Sequence, residues 1–198
     1  MIQYPEILDI SNIDDWKKKF VRRELMTGEW DLISLEIAPD IFEVPVFTEE
    51  FCDKFVDNLK SQKSGPITIW GHNCEEVEYP NEIQAAISNL FTYHILPCYD
   101  HQWRIDFKSY KNLSLENSIV RLKKNQDLRV RHDSCLITNY IKLDSDSTGG
   151  ELYFPKYNFI LKPKQGHGYF FPGSLTHRYG IKVVKSQINN SLFTYVKN

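Results

Sequence analysis

The C-terminal half of the chain alternates short runs of β-forming residues with glycine and proline, and this pattern constrains the fold most. The runs are rich in Val, Ile, Tyr and Phe, which suit pleated, half-buried surfaces. Gly149-Gly150 and Pro172-Gly173 separate several of them, as turn residues do. Seven strands are predicted, at residues 101–108, 117–123, 129–143, 150–154, 158–163, 167–171 and 189–197. Many short strands with frequent turns are typical of a β-sandwich or barrel.

The N-terminal half instead carries amphipathic helical patterns. Residues 11–24 have apolar side chains at helical spacing, and Thr48 is predicted to cap a second helix. A third helix is predicted over about 81–95, with Pro97 ending it. Residues 61–80 are rich in glycine and proline and are predicted as loops. Helices followed by strands predict an α+β fold with the N-terminal helices packed on one sheet.

Length and charge limit the possible classes of protein. A chain of 198 residues is long enough for one domain. We expect residues 1–198 to form that domain, with a helical part over about 1–100 and a β-rich core over about 101–198. The net charge of −2 gives no reason to expect nucleic acid or an anionic membrane as a partner. No apolar run approaches the length that spans a bilayer.

The first residues and the cysteines bear on the cellular compartment. The opening MIQYPEILDI lacks the basic and apolar regions of a secretory signal. The four cysteines form no CxxC or zinc pattern. They are predicted to be buried free thiols in a reducing compartment. These features slightly favour the cytoplasm, and the compartment otherwise stays open.

One predicted strand brings two opposite charges together. Successive side chains of a strand point to opposite faces, so Arg131, Asp133 and Asn139 share one side of residues 129–143. The rest of that side is mostly apolar, which predicts that it faces the interior of the barrel. The opposite side carries His132, Ser134, Thr138, Tyr140 and Lys142. Because buried charges need partners, we expect an Arg131–Asp133 ion pair at the mouth of the barrel.

Several segments, in the same order, resemble the catalytic domain of the procollagen lysyl hydroxylases. IVRLKKNQDLRVRHDS is similar to that family's V-V-x-Y…L-R-P-H-H-D-[AS] strand pair, and GGELYFPKYN with GHGYFFPGSLTH is similar to its core. Upstream, DDWKKKF and PDIFEVPVFTEEFCDKFVDNL resemble its D-W-K-x-x-Y and P-D-V-[FY]-W-F-P segments. The resemblance covers about residues 11–197 and is weak over 61–115. It implies a double-stranded β-helix, the cupin-like jelly roll of iron/2-oxoglutarate oxygenases.

The resemblance also implies iron- and 2-oxoglutarate-dependent chemistry. This chain differs from the family at most of the positions that bind the metal and 2-oxoglutarate. Such oxygenases hold Fe(II) with two His and one carboxylate, and they grip 2-oxoglutarate with an Arg or Lys. Matched without gaps, the family's first ligand His falls on Arg131, its carboxylate on Asp133 and its second ligand His on Tyr179. The 2-oxoglutarate Arg falls on Asn189. Only Asp133 is retained.

The leading hypothesis is therefore a catalytically degenerate oxygenase-fold protein, a pseudoenzyme. A guanidinium stays protonated and is no ordinary metal ligand, so Arg131 is predicted to replace the charge of the metal beside Asp133. We expect no metal and no cofactor. The predicted pocket residues are Arg131, Asp133, Asn139, Tyr179 and Asn189. The protein would bind a ligand, assemble with a partner or run metal-independent chemistry.

Two alternatives stay open. An active peptidyl-lysine hydroxylase would use Fe(II), 2-oxoglutarate and ascorbate, with Asp133, His132 and His177 as ligands. It would need a β-bulge to turn His132 inward. A non-catalytic chain would instead pair with an active paralogue, because enzymes of the family dimerise through this domain. The expected partners are thus a peptide or small molecule in the barrel mouth, and a second or related chain in a homodimer or heterodimer.

Overall fold

A computed structural model of the chain describes residues 3–69, 72–104, 106, 112–145 and 147–198. Its helices are α1 (Ile13–Phe20), α2 (Arg23–Met26), α3 (Trp30–Ile33), α4 (Glu49–Leu59), α5 (Asn81–Leu90) and α6 (Leu96–Trp103). Its strands are β1 (Leu35–Ala38), β2 (Ile41–Pro45), β3 (Ser64–Ile69), β4 (His72–Val77), β5 (Ser114–Lys123), β6 (Leu128–Arg131), β7 (Ile137–Lys142), β8 (Leu152–Phe154), β9 (Phe159–Leu161), β10 (His167–Pro172), β11 (Tyr179–Ile181) and β12 (Ile188–Lys197).

The strands form two antiparallel sheets that face each other. The large sheet has the order β1-β2-β10-β7-β12-β5-β4-β3, and the small sheet has the order β6-β11-β8-β9. Buried side chains from both sheets fill the space between them, among them Leu128 and Phe154 from the small sheet and Tyr140 and Phe193 from the large one. The architecture is the expected α+β fold with a jelly-roll core.

The central strands of the large sheet, β2, β10, β7 and β12, are largely buried on both faces. In β10, Phe170 packs with the helices, whereas its neighbours Tyr169 and Phe171 pack between the sheets. The helices lie on the outer face of this sheet, as predicted. There Phe51 of α4 stacks on Phe47 at 4.4 Å and meets Trp16 of α1 edge-on at 5.4 Å.

The predicted helices exist, but two of them have different limits. The first is interrupted at Val21, which forms a β-bridge with Phe47. The third does not end at Pro97, because α5 continues through a π-helical turn, Phe91–Ile95, into α6. Pro97 lies in the first turn of α6, where a missing backbone N–H breaks no hydrogen bond within the helix. The π-helical turn ends two residues before this proline.

One loop prediction and two strand predictions were wrong in part. Residues 61–80 are not a loop, because β3 and β4 form a hairpin that joins the large sheet through β5. Pro66 is tolerated because β3 is an edge strand. Of the predicted strand 101–108, the first three residues are helical in α6, and most of the rest lie outside the described residues. The predicted strand 129–143 is two strands, β6 and β7, that belong to different sheets.

The four cysteines are free thiols, and all but the half-buried Cys135 are buried. Burial raises the pKa of Cys135 to about 11 and that of Cys98 to about 12. Both side chains therefore stay protonated and unreactive at neutral pH. Among the helices of the described residues, none has the length and apolar character that crossing a membrane requires.

Candidate functional site

Opposite charges meet at one end of the jelly roll, where both sheets contribute. Arg131 is the last residue of β6, and its register partner across the small sheet is Tyr179, the first residue of β11. Asp133 lies in the loop after β6, and its backbone N–H donates to the carbonyl oxygen of Gly173 at 3.2 Å. This loop passes close to Gly173, since a Cβ atom there would lie 2.3 Å from Cys135 Sγ. The sequence GS after β10 therefore permits the loop to carry Asp133 inward.

Arg131 and Asp133 form the ion pair that the sequence predicted. Arg131 Nη2 lies 3.1 Å from Asp133 Oδ1, and only 4% and 6% of the two side chains is exposed. Asp133 Oδ2 accepts hydrogen bonds from Tyr179 OH at 2.8 Å and from Thr138 Oγ1 at 2.7 Å. Arg131 Nη2 also donates to Tyr179 OH at 2.9 Å and to Tyr195 OH at 3.2 Å. These five residues are called the Arg131 cluster below.

Burial and charge fix the protonation states of Arg131 and of the two phenols in the Arg131 cluster. Burial alone lowers the pKa of Arg131, but Tyr179 and Asp133 raise it more, so the guanidinium stays charged. Burial, followed by the charge of Asp133, raises the pKa of Tyr179 and of Tyr195 above the ordinary phenol value. Both phenols therefore stay neutral and act as hydrogen-bonding groups. The cluster contains one cation, one carboxylate and neutral hydroxyls.

Aromatic side chains fill the space between the sheets behind the Arg131 cluster. Phe171 contacts Tyr179 edge-on at 4.9 Å and Phe154 at 5.0 Å. Phe193 lies 6.5 Å from Tyr179 and 5.3 Å from Tyr140 between ring centroids. All five are at most 1% exposed. The interior next to Asp133 is thus a packed aromatic core.

Asn189 lies at the far end of the same interior. It shares one face of β12 with Ser191 and Tyr195, and six residues of strand place it about 20 Å from Tyr195. Ser191 Oγ lies 3.1 Å from Asn189 Oδ1 and 3.0 Å from Tyr140 OH. A Cβ atom on Gly150 would lie 2.3 Å from Asn189 Nδ2. The backbone of Gly150 therefore occupies the space directly beside this amide.

Asn139 does not belong to the site, which corrects the prediction. It faces the helices, where Tyr99 OH of α6 donates to its Oδ1 at 3.1 Å. The alternation of faces fails because residues 132–136 break the strand, with Ser134 at a positive φ of 47°. As a result Thr138 and Tyr140, predicted to face away, point into the interior instead.

Curated sequences similar to this chain are procollagen lysyl hydroxylases. Procollagen-lysine,2-oxoglutarate 5-dioxygenase 2 of Homo sapiens is 26% identical over 183 residues, which cover 82% of this chain and 24% of that protein. Procollagen-lysine,2-oxoglutarate 5-dioxygenase 1 of Mus musculus is 25% identical over 190 residues, covering 84% of this chain and 25% of that protein. The chain spans about a quarter of the length of these relatives. No family model matches it.

Solved structures share the fold. An oxidoreductase of the 2OG-Fe(II) oxygenase family from Burkholderia pseudomallei superposes with a TM-score of 0.61 at 13% identity, covering 80% of this chain and 86% of that one. Viral collagen prolyl hydroxylase from Paramecium Bursaria Chlorella virus-1 superposes with a TM-score of 0.56 at 18% identity, covering 79% and 95%. The chain has a lysyl-hydroxylase-like oxygenase fold. The resemblance found in the sequence motifs is confirmed.

The alternative ligand set is not assembled in this lysyl-hydroxylase-like fold. His132 and Asp133 line a shallow cavity of about 250 Å³ at the barrel mouth. His177 lies apart, with Nε2 3.0 Å from both Pro39 O and Tyr157 OH, and with Nδ1 2.9 Å from Thr176 Oγ1. Over the described ranges, no three His, Cys, Asp or Glu side chains are grouped closely enough to hold a metal ion.

The sequence analysis did not predict two members of the Arg131 cluster, Thr138 and Tyr195. Tyr195 follows Asn189 by six positions, so strand alternation alone places both on the same face of β12. Thr138 had no comparable signal, because its inward direction depends on the strand break between β6 and β7.

The buried His177 predicts a loss of stability in acid. Burial lowers the pKa of His177 below the ordinary value. Between the folded and the unfolded pKa, the imidazole is therefore protonated in the unfolded chain and neutral in the folded chain. Stability is therefore complete above the unfolded pKa, near 6.5, and falls as the pH drops below it. We expect His177→Asn to reduce the slope of unfolding free energy between about pH 7 and pH 5, measured by urea denaturation. Equal slopes in wild type and His177→Asn would contradict the assignment.

Proposed function

We propose that this chain is a catalytically degenerate lysyl-hydroxylase-like protein, which acts by binding and uses neither iron nor 2-oxoglutarate. The observation that carries the proposal is the buried Arg131–Asp133 ion pair with its phenol partners. By the sequence correspondence, Arg131 and Tyr179 stand where the related enzymes have imidazole ligands. They are register partners on adjacent strands and both contact Asp133. Such a juxtaposition is expected of three positions that descend from one metal site.

The donor set at this place does not fit Fe(II). A ferrous oxygenase site needs two neutral imidazoles and a carboxylate, with open positions for substrates. Here the carboxylate is neutralised by a guanidinium that stays charged, and the remaining donor is a neutral phenol. A dication next to Arg131 would add repulsion between like charges in a buried setting. We therefore infer that the positive charge of Arg131 replaces the charge of the metal beside Asp133.

The place for 2-oxoglutarate fits no better. Asn189 is a neutral amide, which lacks the charge and the planar fork that hold a carboxylate. The backbone of Gly150 adjoins it, and the aromatic core occupies the interior between Asn189 and Asp133. The same observations support a rigid scaffold whose contacts with partners are made on its surface.

The rival function is an active peptidyl-lysine hydroxylase. It is favoured by the names of the curated relatives, which describe 2-oxoglutarate dioxygenases acting on procollagen lysine. Assembly as a homodimer, or with an active related chain, remains a prediction of the resemblance alone.

Metal content and turnover separate the two functions. Purified chain loaded anaerobically with Fe(II) is expected to retain far less than one equivalent after desalting. It should form no succinate from 2-oxoglutarate when given ascorbate and a lysine-containing collagen-like peptide. Asp133→Asn serves as the matched variant. Stoichiometric iron in the wild type, together with succinate formation that Asp133→Asn abolishes, would make the degenerate assignment wrong.

A further inference from the structure

The outer face of the small sheet carries none of the described α-helices. The described α-helices pack on the large sheet, on the opposite side of the molecule. Strand alternation turns Tyr153 of β8 and Ile160 of β9 outward, while Leu152 and Phe154 face the interior. Ile160 and the nearby Val183 are 47% and 45% exposed. An apolar strip therefore lies open on this face.

Lysines without carboxylate partners surround that strip. Lys162, Lys182 and Lys185 are exposed, and within the described residues none of them lies in an ion pair. Other exposed lysines, such as Lys18, Lys60 and Lys123, do have such pairs. These three ammonium groups outnumber the two carboxylates of the same face, Asp127 and Glu151, on a chain whose net charge is −2. Fields of this kind attract acidic partners.

Two adjoining cavities give the face a groove. One, of about 560 Å³, is lined by Ile160, Val183, the three lysines and the two carboxylates. The other, of about 300 Å³, shares Lys162 and Lys185 and leads to Lys142. Lys142 is only 8% exposed and donates to the carbonyl oxygen of Ser147 at 3.4 Å. The groove thus runs from an apolar, lysine-rimmed strip to a largely buried ammonium group.

We propose that this groove binds an acidic segment of a partner polypeptide that also carries apolar side chains. Its carboxylates would pair with Lys162, Lys182 and Lys185, and its apolar side chains would cover Ile160 and Val183. A nucleic acid fits less well, because its phosphate backbone has no apolar side chains to cover Ile160 and Val183. This surface is separate from the Arg131 cluster, so the inference stands whether or not the chain has lost its iron.

Peptide binding tests the inference on the intact chain. The probe is a short fluorescent peptide of glutamates interrupted by leucines, followed by anisotropy at low and high salt. We expect the wild type to bind this peptide and high salt to weaken the binding. The double substitution Lys162→Glu/Lys185→Glu should lower the affinity by about tenfold or more. Ile160→Ser should also weaken it. Lys63→Glu, at an exposed lysine elsewhere, should leave it unchanged. These are surface positions, and thermal unfolding verifies that each variant is folded.

Three results would overturn the inference. The first is no binding by the wild type. The second is an equal loss in Lys63→Glu, which would mean that net charge alone governs association. The third is tighter binding of a single-stranded oligonucleotide of the same charge, which would assign the face to nucleic acid instead. Binding of an all-glutamate peptide as tight as that of the leucine-containing one would remove the apolar strip from the proposal.

Discussion

Arg131→Met is expected to lower the free energy of unfolding by about 3–5 kcal/mol, because it leaves the buried carboxylate of Asp133 without its cation. Tyr179 and Thr138 still donate to Asp133 Oδ2, but neutral hydroxyls do not replace a charge. Methionine keeps much of the volume of the arginine stem, so the effect reports charge rather than a cavity. Urea denaturation at neutral pH measures it.

The same experiment contains its own controls. Removing both charges in Arg131→Met/Asp133→Leu should recover most of the loss, because an apolar pair of similar volume avoids burying charge. Lys18→Met breaks an ion pair with Asp15 whose side chains are 76% and 64% exposed, and it should cost less than about 1 kcal/mol. If Arg131→Met cost no more than Lys18→Met, the buried pair would not be holding this end of the jelly roll together.

The sequence predicted only part of the Arg131 cluster, because the predicted strand 129–143 is interrupted in the fold. Arg131 and Asp133 were paired correctly, since opposite charges two residues apart in an apolar strand must meet or stay unsatisfied. The extension of that reasoning to Asn139 failed. A five-residue break between β6 and β7 sends the two strands into different sheets, and it leaves no local signal beyond the small residues around Ser134 and Gly173. Loops that cross between sheets are fixed by tertiary contacts, which periodicity does not encode.

The N-terminal half shows the same division between local and tertiary signals. Helix α4 was predictable because Thr48 caps it and its apolar residues repeat at helical spacing. The β3–β4 hairpin was not, since Gly65 and Pro66 are typical of loops. Its strand form depends on the pairing of β4 with β5, about 40 residues away in sequence.

Arg131→His/Tyr179→His is expected to create a metal site that the wild type lacks. The two positions are register partners on β6 and β11, and both side chains contact Asp133. Two imidazoles there, with the carboxylate, supply the donor set of a facial triad. We expect Co(II), an air-stable substitute for Fe(II), to bind at least about a hundredfold more tightly than to the wild type. Titration followed by visible absorption measures this.

Stability makes that prediction sharper, because the metal should take over the role of the guanidinium. Without metal, the double variant leaves Asp133 uncompensated and should be destabilised much as Arg131→Met is. Adding Co(II) should restore the loss, since a ligand that binds only the folded state raises the melting temperature by mass action. The control Arg129→His/Lys182→His places the same number of imidazoles on exposed positions, and it should show neither tight Co(II) binding nor a Co(II)-dependent gain in stability. Adding Asp133→Asn to Arg131→His/Tyr179→His should abolish both the binding and the gain. Binding no tighter than in that control would mean that Arg131 and Tyr179 do not stand in the place of iron ligands, and the proposed descent from a ferrous site would be wrong.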